Sequence, residues 1–382
     1  MAGFELIRLS FLFILKVGKN AFVTAGMPVR GGIEMKAGVF VEPGRVEVNN
    51  EVPIPKVEGE NEAVIRVLRA CVCGSDLWWF RGINPRPHGS FTGHEAIGVV
   101  EEVGSAVTTV KKGDFVIAPF THGCGWCAAC QAGFDGNCLN APQEMNAGYQ
   151  AEYVRFKNAG WALIKVPGEA SDYTDADLNS FLTLADVMAT GYHAAASAEV
   201  KEGDTVVVMG DGAVGLCGVI AARMRGAKRI IAMSRHVDRQ ELALEFGATD
   251  IVAERGDEAV AKVMAMTHGS GADAALECVG TQLSLDTAAK VCRPGVIVGR
   301  VGVPHGEDVD TSILFWKNVG LRGGVAPVTT YVRNILLPAV LNGTIHPGKV
   351  FTKRFTLDQI QEAYNAMDRR EAIKSLLVIH DA

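Results

Sequence analysis

Between residues 205 and 301 the chain alternates short apolar runs with helical patterns, and this alternation constrains the fold more than any other feature. Strand-like runs at 205–209, 229–233, 250–252, 272–276 and 296–301 are separated by helical patterns at 213–225, 239–246, 259–266 and 283–291. Repeated strand–helix–strand units return the chain to the same end of a sheet each time, so the strands run parallel. The expected architecture is α/β, with a doubly wound parallel sheet over 188–325.

The first turn of that sheet carries chemistry. Gly210, Gly212 and Gly215 form G-x-G-x-x-G after an apolar strand and at the start of a helix. Glycines there permit a tight turn and close approach of backbone amides, and the helix N-terminus favours a pyrophosphate. Ala213 and Val214 open the helix and belong to the same candidate dinucleotide site. An acidic residue is expected at the end of the next strand where NAD is bound. This chain has Ser234 and Arg235 instead. A hydroxyl and a guanidinium suit a 2′-phosphate, so NADP is favoured and NAD is the alternative.

Residues 35–160 read differently, as short strands and turns, with β-like runs at 64–68, 97–103 and 114–118. Within them lies Cys124-x2-Cys127-x2-Cys130-x7-Cys138. Two-residue gaps let thiolates converge on one tetrahedral centre, and four thiolates leave no open position. The reading is a structural zinc site. An iron–sulfur cluster is the alternative ligand set, and disulfides are the plainer reading. Cys73-Gly-Ser75-Asp76 and Gly93-His94-Glu95 add a thiol and an imidazole about 20 residues apart, two ligands of a catalytic zinc that needs a third.

With these motifs and Glu277-Cys-Val-Gly280, residues 35–382 resemble the zinc-containing medium-chain alcohol dehydrogenase family. The resemblance implies a GroES-like β-rich catalytic domain from 35–187 and 326–382, beside a Rossmann cofactor domain. It implies a zinc-dependent NAD(P)-dependent dehydrogenase that moves hydride between an alcohol, or its aldehyde or ketone, and the nicotinamide. The third ligand is then Asp186, ahead of Thr190-Gly191; many relatives have Cys or Glu there. Two zinc ions per chain follow, one catalytic on Cys73, His94 and Asp186, one structural. By the same resemblance Glu95 approaches the metal, Asp76 orients a ligand and Ser75 relays the alcohol proton. Thr190 lies near the nicotinamide and Lys374 faces the pyrophosphate. Trp78 stands where many relatives continue the relay with a His, leaving His88 and His193 as candidate bases. Trp78 and Trp79 suit a pocket wall or the core, and Phe315 and Trp316 a pocket or an interface. A polyol, sugar or threonine-type dehydrogenase is the rival on this scaffold. A non-catalytic zinc- and dinucleotide-binding protein is the rival from another class.

Charge excludes some partners. With 37 basic and 43 acidic residues the net charge is −6, and no basic block invites nucleic acid. The apolar stretch 11–15 is far short of the ~20 residues of a membrane span. Residues 1–34 read as a flexible extension, with cytoplasmic location and no membrane partner expected. The family forms dimers and tetramers, so a homo-oligomer is expected.

Overall fold

The computed structural model describes residues 34–142 and 148–382. The expected extension therefore lies outside the described residues, except for Glu34, which opens the first strand.

Among the described residues, three sheets organise the chain. Strands β1 (Glu34–Glu42) and β2 (Arg45–Pro53) form an antiparallel pair. A larger sheet is built from β3 (Glu62–Cys71), β4 (Ala96–Val103), β5 (Phe115–Ala118), β6 (Tyr153–Lys157) and β7 (Ile164–Lys165). It is completed by two strands from the end of the chain, described below. The third sheet comprises β8 (Thr205–Met209), β9 (Arg229–Met233), β10 (Asp250–Val252), β11 (Ala274–Glu277), β12 (Ile297–Arg300) and β13 (Gly320–Gly323). Returning to the larger sheet, β14 (Phe351–Thr356) and β15 (Lys374–Val378) give the order β14-β15-β3-β4-β5-β7, with β6 also on β3.

The third sheet is wholly parallel, in the order β10-β9-β8-β11-β12-β13. This is the doubly wound arrangement expected from the sequence. The order reverses between β8 and β11, which opens a crevice at the carboxyl ends of those strands. Val206, Val207 and Val208 of β8 are fully buried, as helices on both faces require. Each such valine contributes about 1.5–3 kcal/mol through burial.

The larger sheet positions the candidate metal-ligating residues by register. β3 and β4 are antiparallel, with Ala70 opposite Ala96. Residues just past the end of β3 and just before the start of β4 are therefore neighbours, which brings Cys73 to His94. β15 is antiparallel to β3, with Leu376 opposite Cys71, and so delivers Lys374 to the same place.

Two departures have clear causes. The helical pattern over 330–341 is broken into Val328–Tyr331, a wide turn Val332–Leu336, and Leu337–Leu341. Pro338 has no N–H to donate to the preceding turn, and a wider turn absorbs the loss. The helices Asp175–Leu184 and Val187–Ser197 lacked a readable pattern. Nearly every residue of the second is buried, so it has no polar face to give a 3.6-residue period. It crosses helix Ala213–Met224 closely: a Cβ on Gly191 would lie 2.6 Å from the Gly218 amide.

Candidate active site and cofactor crevice

Cys73, His94, Glu95 and Asp186 come together, their ligand atoms all within 4.8 Å of one another and all four residues buried. His94 Nε2 lies 3.4 Å from Asp186 Oδ2, and Cys73 Sγ lies 3.5 Å from the same oxygen. Ligands on one tetrahedral zinc ion are separated by about 3.3–3.8 Å, given zinc–ligand bonds of about 2.0–2.3 Å. Asp186 precedes helix Val187–Ser197 without capping it through its side chain. Its Oδ1 instead accepts the Thr190 hydroxyl at 2.7 Å. Asp76 accepts the Cys73 amide at 3.0 Å and lies 3.5 Å from His94 Nδ1. It thus holds two potential ligands in orientation, an outer-shell arrangement common at metal sites.

Glu95 differs from the other three. Its Oε1 takes the Lys374 ammonium at 2.7 Å, with both side chains 1% exposed, and lies 3.8 Å from His94 Nε2. Its Oε2 is buried with no partner among the described residues. Burial raises the Glu95 and Cys73 pKa values, partly opposed by Lys374. Burial also opposes charge on Asp186, but His94 and Lys374 hold its carboxyl below the ordinary range. For His94, burial is outweighed by Asp76, Asp186 and Cys73, which favour the imidazolium. Sulfur, nitrogen and carboxylate donors together with an orphaned carboxylate oxygen fit a divalent cation such as zinc.

The second cluster is Cys124, Cys127, Cys130 and Cys138. All nine cysteines are free, so the disulfide reading is not met. Cys127 and Cys138 sulfurs are 3.9 Å apart, close to the about 3.8 Å spacing of thiolates on tetrahedral zinc. Backbone amides point at the sulfurs: Cys124 N and Asn140 N donate to Cys138 Sγ, and Cys127 N to Cys124 Sγ. The Cys130 amide, chiefly, lowers the Cys127 thiol pKa to about 6. Buried Asp135 anchors the lobe by accepting the Thr329 and Thr330 amides.

The third feature is a cavity of about 400 Å³ at the switch point of the parallel sheet, lined by Gly210, Gly212, Ser234 and Arg235 among others. Gly210 has φ +107°, and a Cβ on Gly215 would lie 1.9 Å from the Gly210 carbonyl oxygen. Ala213 and Val214 begin helix Ala213–Met224 directly after the turn. Glu277 is fully buried and accepts the Val279 and Gly280 amides, which fixes the loop across the crevice.

Two family descriptions match the chain, the alcohol dehydrogenase GroES-like domain over residues 59–168 and the zinc-binding dehydrogenase over residues 213–336. The chain is 36% identical over 357 residues to the zinc-type alcohol dehydrogenase B of Aspergillus flavus, covering 89% of this chain and 81% of that protein. The chain belongs to the zinc-containing medium-chain alcohol dehydrogenase family. It is also 31% identical to the alcohol dehydrogenase TADH from Thermus sp. ATN1, with TM-score 0.82, covering 91% of this chain and all of that one. The NADP-dependent isopropanol dehydrogenase of Thermoanaerobacter brockii is 31% identical over 360 residues, covering 90% of this chain and 100% of that protein. The β-rich sheet is thus GroES-like and the parallel sheet Rossmann-like, as the resemblance implied.

Several of the expected residues have partners or surroundings that the sequence does not reveal. Lys374 does not face the cofactor crevice; it is buried on Glu95 and the Val72 carbonyl, because the β15–β3 register places it behind the metal cluster. The Ser234 hydroxyl donates to Asp211 at 2.8 Å, so it is engaged within the protein. Thr190 is engaged with Asp186. His88 Nδ1 is 3.0 Å from the Val41 carbonyl, and His193 Nδ1 is 3.2 Å from the Tyr331 hydroxyl; neither is hydrogen-bonded to the metal cluster. Phe315 and Trp316 are exposed on helix Thr311–Lys317 and line no wall of the cofactor cavity. Trp79 packs in the core against Phe40 and Tyr364, whereas half-buried Trp78 lies against His305 with the two rings tilted. Ser75 is half-buried at the start of helix Asp76–Phe80. Arg255 and Arg370 also line the cofactor cavity, and both were missed. Arg255 was reachable by rule, since loops after parallel strands line the crevice. Arg370 lies too far along the chain for any local signal. Among the described residues, no helix is long and apolar enough to cross a membrane.

Proposed function

We propose that the chain oxidises an alcohol, or reduces the corresponding aldehyde or ketone, with NADP as the preferred hydride carrier. The convergence of Cys73, His94 and Asp186 within 4.8 Å carries this reading. Those three residues would hold the catalytic zinc, with Glu95 beside it, and the four-cysteine lobe would hold a structural one. Bound zinc supplies Lewis acidity to a substrate oxygen, and the nicotinamide supplies the hydride chemistry. Ser75 would relay the substrate proton outward, the role the family resemblance gives it. Gly210, Gly212, Ala213, Val214 and Gly215 receive the pyrophosphate, and Thr190 serves chiefly to orient Asp186. Arg235, together with the NADP dependence printed for the Thermoanaerobacter brockii relative, supports NADP over NAD. The working form is a homo-oligomer, dimer or tetramer, located in the cytoplasm.

Metal analysis joined to a panel of alcohols, polyols and ketones with NADP(H) tests the reading. Two zinc ions per chain and turnover of at least one alcohol are expected. Near-zero zinc, or no turnover across the panel, overturns it.

Two further outcomes follow. Thr190→Val removes the hydroxyl that fixes Asp186, and zinc affinity at the catalytic site should fall by about 10–100-fold, the usual cost of losing an outer-shell partner. Titration with a competing chelator measures this; equal affinity in variant and parent would remove Thr190 from the assembly. Cys124→Ser should lose the lobe's zinc and lower the melting temperature by roughly 5–10 °C, a change of a few kcal/mol. Activity at low temperature should largely survive. Loss of activity with an unchanged melting temperature would place the lobe in catalysis rather than in stability.

A further inference from the structure

The cofactor cavity holds four guanidinium groups and two carboxylates, and their pairing is uneven. Arg239, Arg235, Arg255 and Arg370 all line it, with Asp211 and Glu254. Asp211 is occupied by Arg239 at 3.3 Å and by the Ser234 hydroxyl at 2.8 Å. Glu254 is occupied by Lys262, at 2.8 and 2.9 Å. Among the described residues, Arg235, Arg255 and Arg370 form no ion pair with a carboxylate. Arg235 and Arg370 are both close enough to act on Arg255: partial burial first, then their two charges, lower the Arg255 pKa, with Asp211 opposing them. Like charges crowded into one crevice are unfavourable until an anion joins them, and a dianionic phosphate is the group that guanidinium clusters take best.

The three arginines come from different places. Arg235 follows β9 and Arg255 follows β10, both in the parallel sheet. Arg370 follows helix Ile360–Asp368, which leads into β15 of the GroES-like sheet. Its backbone is held at φ +60°, a left-handed conformation that is uncommon for a side chain of this kind.

We propose that Arg255 and Arg370 join Arg235 in seating the 2′-phosphate of NADP, with Arg370 reaching it from the GroES-like sheet. The seat rests on the NADP reading given above. The phosphate then ties the two sheets across the crevice, which NAD lacks the charge to do.

Calorimetric titration of the zinc-loaded enzyme with NADP+, NAD+ and adenosine 2′,5′-bisphosphate tests the seat. Arg255→Ala and Arg370→Ala should each weaken NADP+ and the bisphosphate by about 10-fold or more, with NAD+ nearly unchanged, as loss of a charge-assisted hydrogen bond requires. Both side chains are exposed, so the fold should persist. Hydrogen exchange over 360–373 should slow with NADP+ more than with NAD+, and this difference should vanish in Arg370→Ala. A parent enzyme that prefers NADP+, with both variants unchanged, overturns the seat alone. A parent enzyme that binds NAD+ as tightly as NADP+ overturns the NADP reading and the seat with it.

Discussion

Asp186→Ala is expected to cut alcohol oxidation by more than about 100-fold, since even outer-shell changes at metal sites cost about 10–100-fold. Zinc should fall from two ions per chain to one, with the cysteine lobe still loaded. The expectation follows from how the carboxylate is held. Asp186 is buried, it lies within 3.5 Å of both the Cys73 sulfur and His94 Nε2, and its other oxygen is fixed by Thr190. Alanine leaves a thiol and an imidazole, and the remaining carboxylate, Glu95, is held by Lys374. Asp186→Cys restores an anionic ligand of a type zinc accepts and should recover part of the zinc and the activity. Unchanged turnover in Asp186→Ala would sink the ligand assignment. A melting temperature close to that of the parent separates lost chemistry from lost fold.

Lys374→Met is expected to destabilise the protein by about 3–5 kcal/mol, the cost of removing one partner from a buried ion pair. Lys374 and Glu95 are each 1% exposed, and Glu95 Oε2 already lacks a partner. Burial alone would lower the Lys374 pKa, yet Cys71, Glu95, Cys73 and Asp186 together raise it well above the ordinary value. The neighbouring anionic groups therefore favour the charged form of the lysine inside the protein. Without it, Glu95 must stay charged and unpaired or take up a proton. The double variant Lys374→Met/Glu95→Gln removes the stranded charge and should recover more than half of the loss. Denaturant midpoints of parent, single and double variants decide the matter. A single variant as stable as the parent would show that the pair carries no such energy.

The legible parts of this molecule were those with a local signature. Strands β8, β9 and β10 fall where the sequence placed them, because short apolar runs bounded by turns have few alternatives. The Gly210–Gly215 turn and the four cysteines were readable for the same reason: their chemistry is written in spacing along one segment. The helix Val187–Ser197 was not, since a helix buried on all sides shows no period. Strand β13 was missed because two of its four residues are glycines, which give a strand no pattern. Lys374 was placed in the cofactor site by resemblance. Its true position depends on the pairing of Leu376 with Cys71, a contact between residues some 300 apart in sequence. Arg370 is the same case in reverse, a residue given its place by the sheet that follows it.

The crossing at Gly191 and Gly218 bears on how such a protein can diversify. Asp186 opens one helix and the Gly210–Gly215 turn opens the other, and at their crossing Gly191 lies so close to the Cys217–Gly218 backbone that a Cβ has no room. The span from Asp186 to the Gly210–Gly215 turn is thus held at that point by close backbone contact, as in a caliper. Misplacement by about 1 Å can cost about 100-fold in rate, so this span is what selection must guard most closely. Side chains elsewhere can meanwhile change without recalibrating the instrument.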